Sequence, residues 1–159
     1  MSSSHGWLKA LLFFAAAVQI AFAIDAGQYR ILSIGQANSD LVAPEGDDPR
    51  RSPVLIPRHK FVWDLEAQDG GFTIKSPSNG LYLSPPGNPA LPVLMTQIPH
   101  VWDFQGYYGE PNIFQLLPHG QSTHALAELH LPGPPYKVGL QPHESTDDTS
   151  QMWYFSPGR

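Results

Sequence analysis

Phe61-Val62-Trp63-Asp64-Leu65, His100-Val101-Trp102-Asp103-Phe104 and Gln151-Met152-Trp153-Tyr154-Phe155 are three versions of one short β-type run, each with Trp at its third position. Each closes a segment that opens on an aromatic-x-aliphatic start: Tyr29-Arg30-Ile31, Phe72-Thr73-Ile74 and Phe114-Gln115-Leu116, spaced 43 and then 42 residues apart. A period of this length, held across three copies, marks one supersecondary unit repeated along the chain.

Working outward from the Trp runs, Gly and Pro recur every few residues and bound short runs of β-branched and aromatic residues, while helical periodicity is absent after the first 23 residues. That is the pattern of an all-β barrel or sandwich. Four strands per repeat are expected, with repeats over about 27–66, 71–105 and 112–157. In the first repeat they run 28–34, 40–42, 54–56 and 61–66; in the second 71–75, 81–84, 93–96 and 101–105. The third gives 112–117, a weak strand within 125–129, then 136–141 and 152–156. Leu55 and Leu94 each stand eight residues before a Trp, whereas an inserted polar loop, 143–150, pushes Trp153 farther from its third strand. No single copy can bury its own apolar face, so the three share a core, and closing the outer strands into a barrel removes free sheet edges.

The first 23 residues read as a secretory leader. Lys9 supplies the positive flank, the stretch from Ala10 to Ile20 is apolar apart from Gln19, and Ala21-Phe22-Ala23 fits a small-x-small cleavage site. The apolar run is short for a membrane span, and no stop-transfer segment follows. The expectation is a secreted chain starting at Ile24, one 136-residue domain, with no membrane association after processing. It carries 8 basic against 14 acidic residues, a net charge of −6 with His neutral, which argues against nucleic acid or an anionic lipid surface as partner. There is no cysteine and no Asn-x-Ser/Thr glycosylation site, so packing and sheet closure must supply the stability that small secreted domains often take from disulfides.

Taken together, the three four-stranded repeats, Gly27-x-Tyr29-x-Ile31, and an aromatic closing each repeat resemble a β-trefoil. More narrowly, Gly27-Gln28-Tyr29-Arg30-Ile31, the Pro-rich region between second and third strands, and Val138-Gly139-Leu140-Gln141-Pro142 followed by Met152-Trp153-Tyr154-Phe155-Ser156-Pro157 are similar to the cysteine-free trefoil protease inhibitors of mushrooms. The leader is a departure from that family. The resemblance implies a monomeric binding protein that works through its loops, with an extracellular protease, serine type favoured, as partner.

One loop has the composition such a role needs. A protease inhibitor presents a stiff extended segment, because ordering a floppy one on binding would cancel much of what the contacts give. Between the second and third strands lies Pro44-Glu45-Gly46-Asp47-Asp48-Pro49-Arg50-Arg51-Ser52-Pro53. Pro49 and Pro53 fix φ on either side of two cations that an acidic trypsin-type pocket accepts. The reading places Arg51 in the pocket and the scissile bond before Ser52. Arg50 and Arg51 equally read as a solvated pair balancing Asp47 and Asp48, or as a dibasic processing signal.

The alternative is a carbohydrate-binding module, since the repeats also resemble ricin-type lectins. Gln151-Met152-Trp153 matches their Gln-x-Trp signature once, while Phe61 and His100 replace the Gln in the other two copies. Tyr107 and Tyr108 with Asn112 would form an aromatic and amide platform for a glycan, and the three Trp residues read as core. No enzyme, cofactor or metal is expected. The histidines His119, His124 and His130 lack the spacing of a helical metal motif, and Asp64 and Asp103, in matching places of two repeats, should lie apart around the barrel rather than act as a carboxylate pair. No nucleophile elbow, phosphate loop or dinucleotide fingerprint is present.

Overall fold

A computed structural model of the protein describes residues 24–46, 51–107, 109–130, 132–144 and 148–158. The leader expected over 1–23 lies outside them, as do Pro49, Arg50 and Tyr108. Twelve strands are formed: β1 (Gly27–Ser33), β2 (Ser39–Val42), β3 (Val54–Pro57), β4 (Trp63–Gln68), β5 (Gly71–Lys75), β6 (Tyr82–Ser84), β7 (Leu94–Thr96), β8 (Val101–Tyr107), β9 (Glu110–Pro118), β10 (His124–Leu129), β11 (Tyr136–Pro142) and β12 (Trp153–Pro157). Four fall in each repeat, and the fold is a β-trefoil.

Alternation drives the barrel. In β4, Trp63 and Leu65 point inward and are buried while Asp64 and Glu66 face outward, the period of a strand with one wet face. The first and fourth strands of the repeats pair antiparallel in a closed ring: β1 with β4, β4 with β5, β5 with β8, β8 with β9, β9 with β12, and β12 with β1. Three of these seams carry the same register. The residue two after each Trp pairs with the aliphatic of a first strand: Leu65 with Ile74, Phe104 with Leu116, and Phe155 with Ile31. The period seen in the sequence is therefore a repeated side-chain layer around a pseudo-threefold axis. Phe72, Phe104, Phe114 and Phe155 fill that layer, their ring centroids 5.0–5.7 Å apart in tilted and edge-on contacts.

The second and third strands form three hairpins, β2–β3, β6–β7 and β10–β11, that cap one end of the barrel. Each is tied to the barrel in the same way. The indole N–H of Trp63 donates to the Leu41 carbonyl at 2.8 Å, that of Trp102 to Leu83 at 3.0 Å, and that of Trp153 to Leu126 at 2.9 Å, and all three indoles are fully buried. A buried Trp needs a partner for its one donor, and here the fourth strand of each repeat finds it on the second. Gly71 serves a close approach at the start of β5, where a Cβ would sit 2.3 Å from the Trp102 carbonyl oxygen.

The structure corrects the sequence reading in places. The weak third-repeat strand is a full six residues, paired with β11 at every one of them. Its signal was masked by Ala125, Ala127 and the buried Glu128, residues of low β-propensity that the cap nevertheless encloses. The strand expected from Phe61 begins at Trp63, because Arg58 and Lys60 both take positive φ and turn the chain just before it. The hairpin β8–β9 extends almost to its tip, so Tyr107 and Asn112 are strand residues, and Tyr107 is half-buried.

Replacing any one of Trp63, Trp102 or Trp153 by Phe removes the donor, strands a buried carbonyl and leaves a small cavity. The expected loss is about 2–4 kcal/mol. Urea unfolding should give similar losses for all three variants.

Candidate functional site

The loop between β2 and β3 is held from three directions. Ala43 before it and Pro53 after it are buried, so both of its feet are fixed in the cap. On the incoming side, Asn79 from the β5–β6 turn donates from Nδ2 to the carbonyls of Pro44, at 3.4 Å, and Gly46, at 3.1 Å. Asn79 is itself held, since its Oδ1 accepts from the Leu81 amide at 3.0 Å. The turn that carries it is closed by backbone bonds from Ser76 N to Leu81 O and from Gly80 N to Ser76 O. A turn of the second repeat thus braces a loop of the first.

Arg51 stands on the outgoing side and is exposed, with Ser52 half-buried behind it. Its Nη1 donates to the Glu45 carbonyl at 3.2 Å, closing the mouth of the loop. To enter a pocket the guanidinium must give up this exposed bond, a net cost of about 1 kcal/mol. Residues 47–50 lie outside the described residues, so of the five residues proposed for this loop the structure places Arg51, Ser52 and Pro53. Asn79 is the loop-bracing residue that the sequence did not reveal. Pro77-Ser78-Asn79-Gly80 reads as a turn, and nothing in it indicates which neighbouring backbone an Asn side chain will reach.

Among the residues considered for sugar binding, Tyr107 lies in β8 opposite Glu110, and Asn112 is exposed on the facing arm at φ +69°. The Gln-x-Trp signature is turned inward. Gln151 is buried, with Oε1 accepting from Glu144 N at 3.1 Å and Nε2 donating to Pro142 O at 2.8 Å, while Trp153 is one of the three barrel indoles. Gln115 adds to that brace, bonding the His143 ring and the Glu144 carbonyl. Gln151 and Gln115 thus hold the start of the inserted loop of the third repeat, and Gln151 and Trp153 are buried away from any ligand.

Asp64 and Asp103 sit on different seams with different partners. Asp64 accepts from Gln28 Nε2 at 3.0 Å, and Asp103 bonds His119 Nδ1 at 2.7 Å and accepts from Gly120 N at 3.2 Å. Among the described residues no group of three or more His, Asp or Glu is placed to hold a metal ion. The Asp103 hydrogen bond, and then the Coulombic pull of the same carboxylate, raise the His119 pKa above the ordinary 6.5, with partial desolvation opposing and Asp69 adding a smaller pull.

No family model matches the chain, and no curated protein matches it. Solved structures do. The chain is similar to the ricin B-like lectin of Macrolepiota procera, solved in complex with lactose, at 20% identity and a TM-score of 0.70, over 85% of this chain and 99% of that one. A proteinase inhibitor from Coprinopsis cinerea matches at 14% identity and a TM-score of 0.66, over 85% and 99%. A designed threefold-symmetric protein, ThreeFoil, matches at 14% identity and a TM-score of 0.59, over 81% and 97%. Likeness at this level places the chain among the β-trefoils, a fold that serves lectins and inhibitors alike.

Because the folded-state pKa of His119 is raised, its contribution to stability is complete below the ordinary imidazole value and fades as pH rises through the raised one. A histidine-resolved NMR titration should show His119 titrating above 6.5, and Asp103→Asn should bring it back towards that value.

Proposed function

We propose that this protein is a secreted, monomeric inhibitor of a trypsin-type serine protease, acting through the β2–β3 loop and performing no chemistry of its own. The observation that carries the reading is the Asn79 brace. The incoming arm of a segment bearing an exposed Arg51 is tied down by a side chain from another repeat, and the bond that a protease would attack is followed by the half-buried Ser52 and then the buried Pro53. Such a loop loses little freedom on docking, which is where inhibitory affinity comes from. A cleaved loop held in this way would also keep its new ends together, so that the bond re-forms rather than separates. Glycan binding is the competing reading. It is supported by the fold and weakened by the inward use of Gln151 and Trp153, which leaves the Tyr107, Tyr108 and Asn112 hairpin as its only proposed platform.

The test is residual trypsin activity against increasing amounts of the chain from Ile24 onward, with intact mass read at the end. Stoichiometric inhibition is expected. Joint replacement of Arg50 and Arg51 by Ala should weaken it by roughly a thousandfold, the scale of a central charged anchor. Asn79→Ala should keep the Arg side chains but weaken inhibition by about tenfold and speed cutting after Arg51, the signature of a loosened loop. Uninhibited trypsin that cuts cleanly after Arg51 contradicts the proposal and moves the search to a saccharide screen.

A further inference from the structure

The pseudo-threefold axis places a second proline-bounded loop one-third of a turn from the first. It joins β6 to β7 as Pro85-Pro86-Gly87-Asn88-Pro89-Ala90-Leu91-Pro92. Its feet are fixed: Pro86 is buried, Pro92 bridges to Gly139 of β11, and Val93 N donates to Val138 O at 3.1 Å. Its crest, Gly87 to Leu91, is exposed throughout, yet its shape is set by Asn88, whose backbone carbonyl accepts from Leu91 N and whose Oδ1 accepts from Ala90 N, both at 3.0 Å. Pro86, Pro89 and Pro92 recur every third residue, the spacing of a polyproline ligand, but the turn from Asn88 to Leu91 breaks that extended helix.

Two features define what the crest fits. Leu91 is 55% exposed, one of two large aliphatic side chains so placed among the described residues. The chain is also uncharged from Ser76 to Pro99, 24 residues without Asp, Glu, Lys, Arg or His, in contrast to the β2–β3 loop with its acidic and basic residues. A stiff, neutral loop with a protruding leucine suits a deep apolar pocket and offers nothing to an acidic one.

We propose that the β6–β7 loop is a second protease-docking head, in which Leu91 plugs the primary pocket of an endopeptidase selective for large apolar side chains, of the chymotrypsin or subtilisin kind. This rests on the inhibitor reading proposed for the β2–β3 loop and extends it to the next loop of the cap, with different residues and a different target class. No bond is broken in docking. Leu91 is followed by Pro92, whose nitrogen carries no hydrogen, and the loop acts as a plug.

The experiment titrates chymotrypsin, subtilisin and trypsin in parallel with the chain from Ile24 onward, with the Arg50→Ala/Arg51→Ala variant and with Leu91→Ala, recording intact mass and the urea midpoint. Chymotrypsin or subtilisin should be inhibited with the chain left intact. Leu91→Ala should weaken that inhibition by about ten- to a hundredfold, as burial of a leucine side chain implies, and leave the urea midpoint and the trypsin arm unchanged. The double Arg variant should inhibit chymotrypsin or subtilisin as well as the parent does. Trypsin inhibition alone would overturn this inference and leave the β2–β3 reading standing. Chymotrypsin or subtilisin inhibition that ignores Leu91→Ala would overturn the assignment to this loop. Inhibition of none of the three would remove both readings.

Discussion

Three indole N–H groups, each bonded to a leucine carbonyl of its own repeat, hold this fold together. Trp63, Trp102 and Trp153 lie on barrel strands, while Leu41, Leu83 and Leu126 lie on the cap hairpins. Each bond therefore fixes one hairpin to one wall of the barrel, at the place where the bulkiest side chain of the repeat is buried. Burial of a Trp removes about 150–250 Å² from water, on the order of 4–6 kcal/mol as an upper bound. In a chain without cysteine this layer does what covalent staples do in disulfide-bonded domains.

A second buried contact keeps the first hairpin in register. Asp40 is fully enclosed in β2, and Arg30 from β1 grips both of its oxygens, at 2.8 and 2.9 Å. A paired charge of this kind adds little net stability, but loss of Arg30 would strand the enclosed Asp40 carboxylate, whereas Arg30 itself reaches solvent. The hairpin that carries the Arg51 loop is thus fixed by the Trp63 indole and by this ion pair. Among the described residues no buried side-chain polar atom lacks a partner. Rigid walls and a satisfied interior leave the loops free to differ, and on such a scaffold the loops carry function.

The architecture was legible in the sequence because its determinants are local and repeated. The Trp runs and the aromatic-x-aliphatic starts recur with one period, and in the structure they meet as one side-chain layer. What the sequence concealed was long-range or compositional. β10 carries Ala and Glu where a strand would favour β-branched residues, and Glu128, enclosed, takes its partners from elsewhere: Ser33, 95 residues earlier, donates to it at 3.1 Å, and the His130 ring lies 3.8 Å away. The Arg loop was visible from its prolines and charges, but the Asn79 brace was not, since it joins residues more than 30 apart through a side chain that looked like turn chemistry. Gln151 shows the opposite case: a motif residue readable as a binding signature is committed to loop backbone.

Whether the three Trp clamps are equivalent and give way together is read out by hydrogen exchange at the indole Nε1–H groups, followed by NMR across a series of sub-denaturing urea concentrations. All three indole protons should exchange only through global unfolding, with one common free energy and the full urea dependence. One indole that exchanges through a smaller opening, independent of urea while the other two stay protected, would contradict this, because that repeat's hairpin would then be free of the barrel.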